Sequence, residues 1–180
     1  MSAKPRAKRP KAAKPPRKAA PRQRATRAPK PKPAAAPERV TIPRAALRII
    51  ESAAESSWPR ECCGLLVGVR AGAATEITSA HPSPNRARDP RIAFEVDPEI
   101  WLRLTRTLAD GPESVLGLYH SHPDGPAEPS PRDLAAVWGP ELVWIITAAA
   151  RGKPAKTAAF RVADADGKRH FVGIALTVEG

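Results

Sequence analysis

The pattern of apolar and polar positions changes character at residue 38. From Glu38 onward, short apolar runs alternate with segments that have apolar residues at helical spacing, whereas residues 1–37 contain almost nothing apolar larger than alanine. Apolar runs of four to eight residues predict strands, and apolar residues three and four positions apart predict amphipathic helices. The chain therefore divides into a tail, residues 1–37, and a domain, residues 38–180, which is long enough for a hydrophobic core.

Within the domain, the pattern predicts more strands than helices. Helices are predicted from Arg44 to the residues before Pro59, from Pro98 with Asp97 as N-cap, and from residue 131 through the segment LAAVWG, which ends at residue 139. This mixture indicates an α/β or α+β domain with a central, mostly antiparallel or mixed sheet flanked by helices. The predicted strands are 39–43, 63–70, 75–80, 91–96, 114–122 and 142–147, with a closing hairpin of 157–164 and 170–178.

The basic charge of the chain belongs to the tail. Residues 1–37 hold 13 of the 30 Lys and Arg, together with 9 Pro and no acid, so that 17 bases and all 18 acids remain in residues 38–180. The domain is therefore close to neutral, near −1. Because the tail cannot bury enough apolar surface to offset the entropy of ordering, we predict that residues 1–37 are disordered.

Two functions are open for the basic tail. Neutralising phosphates with Lys and Arg releases counterions, which favours an arm that binds nucleic acid or another polyanion. Alternatively, the tail is a charged, solvated linker that keeps the domain in solution. No aromatic residue lies among the basic ones to stack on bases, so the polyanion hypothesis extends only to weak, salt-sensitive binding.

Targeting and cysteine signals favour the cytoplasm. No apolar core of a signal peptide follows Met1, and the longest apolar stretch, Leu142 to Ala150, is shorter than the roughly 20 residues that span a bilayer. The only cysteines, Cys62 and Cys63, are adjacent and make a poor disulfide framework, which fits a reducing compartment. We therefore expect a cytoplasmic protein.

The segment LYHSHPDGPAEPSPRDL, residues 118–134, carries the clearest chemistry. If residues 114–122 form a strand, His120 and His122 lie on one face and can converge on one metal ion. Zinc accepts imidazole nitrogens and carboxylate oxygens, and catalytic zinc sites have three protein ligands. Of the nearby acids, Asp133 lies one turn into a predicted helix, whereas Asp124 follows the histidines too closely for easy closure.

A purely structural explanation competes for part of this segment. Ser130, Pro131 and Asp133 form a helix start, with Ser at the N-cap, Pro at the first helical position and an acid at the third. Capping alone would explain Ser130 and Asp133, but not two histidines on one face directly upstream. The residues by themselves leave a metal site and a capped helix both open.

The spacing of these residues resembles the signature of the JAMM, or MPN+, metalloproteases. The matching residues are His120, His122, Ser130 and Asp133, in the order H-S-H-P followed by S-x-x-D. The family pattern also requires an upstream glutamate, which prokaryotic members have in a P-x-E-x-C-G-L-L-x-G setting. PRECCGLLVG, residues 59–68, matches it and places Glu61 at that position. HPSPNRARDPRIAFEVDP is a further similarity, and the resemblance covers about residues 40 to 178.

The resemblance implies a fold of the MPN/JAMM type, which is cytidine-deaminase-like, and an amide hydrolase. It implies that His120, His122 and Asp133 bind Zn²⁺ and leave a fourth position for water. Glu61 would act as base and then acid, and Ser130 would donate a hydrogen bond to the oxyanion. The implied substrate is an amide after the C-terminal tail of a ubiquitin-like or sulfur-carrier protein or peptide, and the short links 96–115 and 122–142 indicate a small or loosely held one.

Other functions compete with the peptidase. One is a non-catalytic MPN-type scaffold that binds a partner, which the complete ligand set disfavours. Another is a nucleic-acid-associated protein in which the domain is secondary. A cysteine nucleophile is disfavoured because Cys63 opens an apolar run, where a buried thiol is commoner. The tryptophans are expected in the core or in a groove; for Trp138, core packing is favoured over a position beside the substrate channel.

Overall fold

Seven strands and three helices lie in the part of the chain that the structure, a computed structural model, describes: residues 39–151, 153 and 155–180. The predicted disordered tail, residues 1–37, lies outside these residues. The elements are β1 Arg39–Pro43, α1 Arg44–Ser57, β2 Cys63–Ala71, β3 Ala74–Ser83, α2 Pro98–Thr107, β4 Ser114–Pro123, α3 Pro131–Ala135, β5 Val143–Ala149, β6 Lys156–Ala165 and β7 Lys168–Glu179.

The strands form one mixed sheet in the order β1-β3-β2-β4-β5-β6-β7, which closes into a barrel because β1 also pairs with β7. Strand β1 is parallel to both of its neighbours, and β4 is parallel to β5. The remaining neighbours are antiparallel. The predicted mixed α/β domain with few helices is confirmed, whereas the closure through β1 was not predicted.

Two hydrophobic clusters lie on opposite faces of β4. Tyr119 belongs to the cluster under α1, where the helix buries residues at the spacing that its sequence predicts. Leu118 and Trp144 belong to the other cluster, which includes Leu104 of α2. Because side chains alternate along a strand, Tyr119 points away from the face that carries His120.

Local signals placed several element ends correctly. Asp97 caps α2 by accepting from the backbone N–H of Glu99, and Pro98 takes the first helical position. Asp166 and Gly167 both have positive φ, 54° and 76°, which is the two-residue turn that joins β6 to β7. These features follow from short-range chemistry, so the sequence was sufficient to find them.

Three predicted elements were wrong in extent or type. The expected strand 91–96 does not form, and only an isolated bridge joins Asn85 to Val96. Strand β3 runs on to Ser83, past the predicted end at Ala80. Helix α3 ends at Ala135, with Ala136 as its C-cap, rather than continuing to residue 139. Gly139 and Pro140 follow shortly after, where helices commonly stop.

In the described residues, none of the helices combines the length and apolar character needed to cross a bilayer.

Candidate metal centre and active site

Strand β4 brings His120 and His122 onto one face at its carboxyl end. Their Nε2 atoms lie 3.0 Å apart. His120 is fully buried, whereas the side chain of His122 is 13% exposed, so His122 is the ligand candidate nearer to solvent. In the ladder between β2 and β4, His120 is directly opposite Cys63, two residues after Glu61.

Helix α3 presents Asp133 to the two histidines. Its Oδ1 lies 3.2 Å from Nε2 of His120, and its Oδ2 lies 3.3 Å from Nε2 of His122. The capping box at the start of the helix fixes this position: the N–H of Asp133 donates to Oγ of Ser130, and the N–H of Ser130 donates to Oδ2 of Asp133. The cap and the cluster therefore use the same carboxylate.

The donor atoms fit a tetrahedral zinc ion. Ligands that lie about 2.0–2.1 Å from zinc in a tetrahedron are separated by about 3.3 Å. The Nε2–Nε2 separation of 3.0 Å is close to that edge length, and each Nε2 lies at a similar distance from one oxygen of Asp133, 3.2 Å to Oδ1 from His120 and 3.3 Å to Oδ2 from His122. Across Arg39–Gly180 without residues 152 and 154, this is the only group of three or more His, Cys, Asp or Glu side chains arranged closely enough to hold a metal.

The protonation states of two of these groups suit a metal ligand, which must present lone pairs. Burial lowers the pKa of His120, so its ring is neutral. Burial raises the pKa of Asp133, but hydrogen bonds from His120 and His122 outweigh it and hold that pKa below its usual range. Burial also lowers the pKa of His122, but the bonds to Asp133 and Pro126 raise it overall, so a bound cation would displace a proton there.

Packing and one hydrogen bond orient the rings. Nδ1 of His122 lies 3.0 Å from the carbonyl oxygen of Pro126, so Nδ1 carries a proton and Nε2 is the nitrogen that is left for a metal ion once its own proton is displaced. His120 has no hydrogen-bond partner for Nδ1 among the described residues. Its ring is held instead by Phe94, stacked at 4.2 Å, and by the edge of Trp144 at 5.9 Å.

Glu61 lies beside the cluster with an unusual carboxyl group. The residue is 8% exposed, and its Oε2 has no hydrogen-bond partner among the described residues. Burial raises the pKa of Glu61 to about 7, against the opposing effect of His122. A carboxyl group that takes up and releases a proton near neutral pH is suited to general acid–base chemistry.

A two-bond clamp ties the Glu61 segment to the histidine strand. The N–H of Cys62 donates to Oγ of Ser121 at 2.9 Å, and the N–H of Ser121 donates to the carbonyl of Cys62 at 3.1 Å. Ser121 lies between the two histidines, and Cys62 follows Glu61. The sequence analysis did not identify Ser121. Strand alternation is the signal that could have found it: if His120 and His122 point to one face of the strand, the side chain of Ser121 between them points to the opposite face.

Asn85 organises the loop beside Glu61. Its side-chain N–H groups donate to the carbonyls of Glu61 and Ala93, each at 3.0 Å. Its Oδ1 accepts from the N–H groups of Ala87 and Glu95, also at 3.0 Å. The predicted strand 91–96 would have paired its backbone with a neighbouring strand. Instead, the side-chain amide of Asn85 forms hydrogen bonds with the backbone of this segment and so positions Phe94.

Asn85→Asp is expected to destabilise the domain by about 1–3 kcal/mol, because carboxylate oxygens would face two carbonyls that now receive hydrogen bonds. The variant retains the two hydrogen bonds that Oδ1 accepts. The loss of stability therefore measures only the two hydrogen bonds that the side-chain N–H groups of Asn85 donate. Urea unfolding measures it. Arg88→Ala, an exposed position in the same loop, is the control, and equal urea midpoints for the two variants would contradict the role given to Asn85.

Other candidate residues lie elsewhere. Asp124 accepts from Nε1 of Trp58 at 3.1 Å, and it is not part of the cluster. His81 hydrogen-bonds with Ser79. Burial raises the pKa of both thiols, that of Cys63 to about 12, so neither is a ready nucleophile. The expected core position of Trp138 is wrong, since that residue is 56% exposed.

Part of the chain matches a known protein family. Residues 43–163 match the family model described as prokaryotic homologs of the JAB domain. A desampylase of Haloferax volcanii is 36% identical over 88 residues, 49% of this chain and 62% of that protein. A probable TtuB-protein conjugate cleaving protease of Thermus thermophilus is 37% identical over 93 residues, 52% of this chain and 60% of that protein. The chain thus spans about three fifths of the length of these two relatives.

Similar folds occur among solved structures. The solution structure of a protein from Desulfitobacterium hafniense has a TM-score of 0.68 and 26% identity, covering 78% of this chain and 92% of that one. The solution structure of a protein from Salinibacter ruber has a TM-score of 0.54 and 25% identity, covering 76% and 90%. Both structural similarities cover most of the domain that contains the candidate metal cluster.

Proposed function

The chain belongs to the family of prokaryotic homologs of the JAB domain, and from that membership we propose that it is a zinc-dependent peptidase or isopeptidase. The resemblance to the JAMM proteases is thereby confirmed, and the names of the relatives, a desampylase and a probable conjugate cleaving protease, support the expectation of a hydrolase. The proposed fold detail, a cytidine-deaminase-like arrangement, rests on the same resemblance.

One observation carries the proposal. Three potential zinc ligands, His120, His122 and Asp133, have donor atoms 3.0–3.3 Å apart, with the buried carboxyl group of Glu61 beside them. A scaffold domain needs neither a converging ligand set nor a carboxyl group with a pKa of about 7. The geometry therefore supports hydrolysis better than it supports a non-catalytic role.

The chain's own residues divide the work of amide hydrolysis. His120, His122 and Asp133 would hold the metal, and bound zinc supplies Lewis-acid chemistry, lowering the pKa of a water molecule towards about 7 and polarising the scissile carbonyl. Glu61 takes a proton from the attacking water as the C–O bond forms. It then returns that proton to the leaving nitrogen as the C–N bond breaks.

Ser130 has a second role besides capping. In the capping box its Oγ accepts from the N–H of Asp133, so the cap does not consume the hydroxyl proton. That proton is available for the oxyanion of the tetrahedral intermediate, a contribution of about 3 kcal/mol for donors of this kind. The same residue thus holds a metal ligand in place and stabilises the transition state.

The proposed substrate is a conjugate of a ubiquitin-like or sulfur-carrier protein. The names of the relatives refer to desampylation and to cleavage of TtuB-protein conjugates. Cleavage after the carrier's C-terminal tail is the reaction that this chain's ligand set and base could perform on such a conjugate. Weak polyanion binding by residues 1–37 stays a separate prediction.

Zinc content and conjugate cleavage test the proposal together. We expect the full chain to contain one zinc per molecule by elemental analysis, and to lose cleavage of carrier-protein conjugates after chelation and regain it with added zinc. His122→Ala should contain little zinc and should not be rescued. A well-folded wild-type protein without stoichiometric zinc would refute the metallopeptidase, whereas zinc binding with no cleavage of a broad panel of conjugates and peptides would refute the substrate class.

A further inference from the structure

Glu61 and His122 lie on two neighbouring segments of the chain that are joined at one point by the backbone clamp. The clamp between Cys62 and Ser121 comes one residue after Glu61 and one residue before His122. By itself, this connection fixes the two segments at that point but not the angle between them. A further connection, before Glu61 and after His122, would also fix the separation of the proposed base from the candidate ligand.

Trp58 and Asp124 form such a connection. Nε1 of Trp58 donates to Oδ2 of Asp124 at 3.1 Å. Trp58 is the C-cap residue of α1 and comes three residues before Glu61. Asp124 comes two residues after His122. The clamp and this hydrogen bond therefore join the same two segments on either side of the proposed base and the candidate ligand.

Other contacts hold both partners of this hydrogen bond, so it can transmit position from one element to another. The backbone N–H of Trp58 donates to the carbonyl of Glu55 in the last turn of α1 at 3.3 Å. The guanidinium of Arg151 lies 5.9 Å from the centroid of the Trp58 ring, which is within range of a cation–π contact. The N–H of Asp124 donates to the carbonyl of Ala149 at the end of β5, at 2.9 Å.

The backbone of Asp124 is in the left-handed region, with a φ of 56°. Glycine adopts this region without strain, whereas a residue with a side chain does so at some cost, which is smallest for Asn and Asp. Asp124 is not one of the three clustered candidate ligands. An aspartate at this position therefore has a different use, which is to supply the acceptor for the indole N–H of Trp58.

We propose that Trp58 and Asp124 are positioning residues that hold Glu61 at the correct distance from the metal site. This inference rests on the proposed function, in which Glu61 is the base. Proton transfer requires the base to lie within hydrogen-bond reach of the attacking water, and a misplacement of about 1 Å can cost about 100-fold in rate. Loss of the hydrogen bond should therefore lower kcat, whereas KM and zinc content stay close to the wild-type values.

Three variants separate the hydrogen bond from the charge and from the backbone conformation. Asp124→Gly removes the acceptor and suits the left-handed backbone. Trp58→Phe removes the donor and keeps an aromatic ring. Both should lower kcat about 10-fold, as a smaller displacement than 1 Å would. Asp124→Asn removes the charge but keeps an acceptor oxygen, so it should retain the wild-type kcat.

Asp166→Gly is the matched control for Asp124→Gly. Asp166 also has a left-handed backbone, with a φ of 54°, but it lies in the turn between β6 and β7. The same substitution there should leave kcat unchanged. A 10-fold loss of kcat in both glycine variants would show that the effect is not specific to the Trp58–Asp124 contact, and would overturn the inference.

Nuclear magnetic resonance observes the contact without any catalytic step. The indole N–H signal of Trp58 is the one that is absent from Trp58→Phe. This proton should exchange with solvent slowly in the metal-free wild type and in Asp124→Asn, and faster in Asp124→Gly, because a hydrogen-bonded N–H group must open before it exchanges. Equally fast exchange in all three proteins would show that the contact does not form, which also overturns the inference.

A double-mutant cycle tests whether the effect on kcat passes through Glu61. In the Glu61→Gln background, Asp124→Gly should cause no further loss, because the residue that it positions has already lost its role. Additive losses would contradict the inference, as would a wild-type kcat for Asp124→Gly or a 10-fold loss for Asp124→Asn. A zinc-loaded wild type that cleaves no conjugate would instead contradict the proposed function, on which the role of Glu61 depends.

Discussion

Glu61→Gln is expected to lower kcat for conjugate hydrolysis by about 10²- to 10⁴-fold, the usual contribution of a general base. Zinc content should stay at the wild-type level, because Glu61 is not one of the three clustered ligands. Glutamine has nearly the same shape but cannot accept the proton of water, so the loss reports the chemical role alone. Steady-state kinetics with elemental analysis of the same sample gives both quantities.

The same residue predicts the pH dependence of the wild-type rate. As a base, Glu61 must be ionised, so kcat/KM should fall as the pH decreases through its pKa. Burial raises that pKa to about 7 when no cation is present, and a bound dication lowers it from there. We expect the acid limb of the profile to have its midpoint below 7 in the zinc-loaded enzyme and to disappear in the residual activity of Glu61→Gln.

Stability should change in the opposite direction from activity. A carboxyl group whose pKa is raised from 4.5 to about 7 on folding stabilises the fold fully below pH 4.5, and this contribution is lost as the pH rises through 7. At pH 8 the metal-free wild type therefore contains an ionised, poorly solvated Glu61. Metal-free Glu61→Gln should be about 1–3 kcal/mol more stable than the wild type at that pH. Lower stability of the variant would indicate that Glu61 is structural rather than catalytic.

Asp133→Asn is expected to abolish stoichiometric zinc binding and to reduce hydrolysis to background. The variant removes the negative charge from the ligand set, whereas its amide oxygen can still accept from the N–H of Ser130, which now donates to Oδ2 of Asp133 at 2.6 Å. The helix start is thus retained and the metal site is lost. Elemental analysis and conjugate cleavage measure the two effects.

The metal-free stability of Asp133→Asn distinguishes it from Glu61→Gln. Because the hydrogen bonds from His120 and His122 lower the pKa of Asp133 despite burial, its carboxylate stabilises the fold above its unfolded pKa, near 3.9, and this contribution is lost as the pH falls. The Asn variant should therefore be less stable than the wild type at neutral pH.

Ser130→Ala is the matched control for Asp133→Asn. It removes the other half of the capping box and keeps all three ligands, so it should lose about 1 kcal/mol of stability and retain zinc. If Ser130→Ala also lost its zinc, an intact capping box, and not only the charge of Asp133, would be required for zinc binding.

Local chemistry made much of the fold predictable. The Asp97–Pro98 helix start and the Asp166–Gly167 turn depend on neighbouring residues only; the helix starts where it was predicted, and the turn lies between the two strands of the predicted closing hairpin. The strand expected at 91–96 failed because the backbone groups of Ala93 and Glu95 bond to the side chain of Asn85. Hydrogen bonds to one side chain of another segment produce no periodic pattern of apolar residues, so the sequence does not reveal them.

Local patterns predicted one part of the candidate site, and the family resemblance was needed for the other part. Alternation along a strand and capping chemistry suffice to nominate His120, His122 and Asp133, because these residues lie within one short stretch. Glu61 could be found only through the family resemblance, since no local pattern connects it with residues some sixty positions away. Closure of the barrel through β1 was missed for the same reason: pairing between distant strands is not encoded in the periodicity of either strand.

The ladder between β2 and β4 has a consequence for when the protein becomes active. It places Cys63 opposite His120 and so joins the Glu61 segment to the candidate metal ligands. Pairings between residues far apart in sequence form late in folding, after local helices and turns. A nascent or partly unfolded chain would therefore hold its proposed base and its candidate metal ligands apart, and the proposed hydrolysis would begin only once the polypeptide has completed its own sheet.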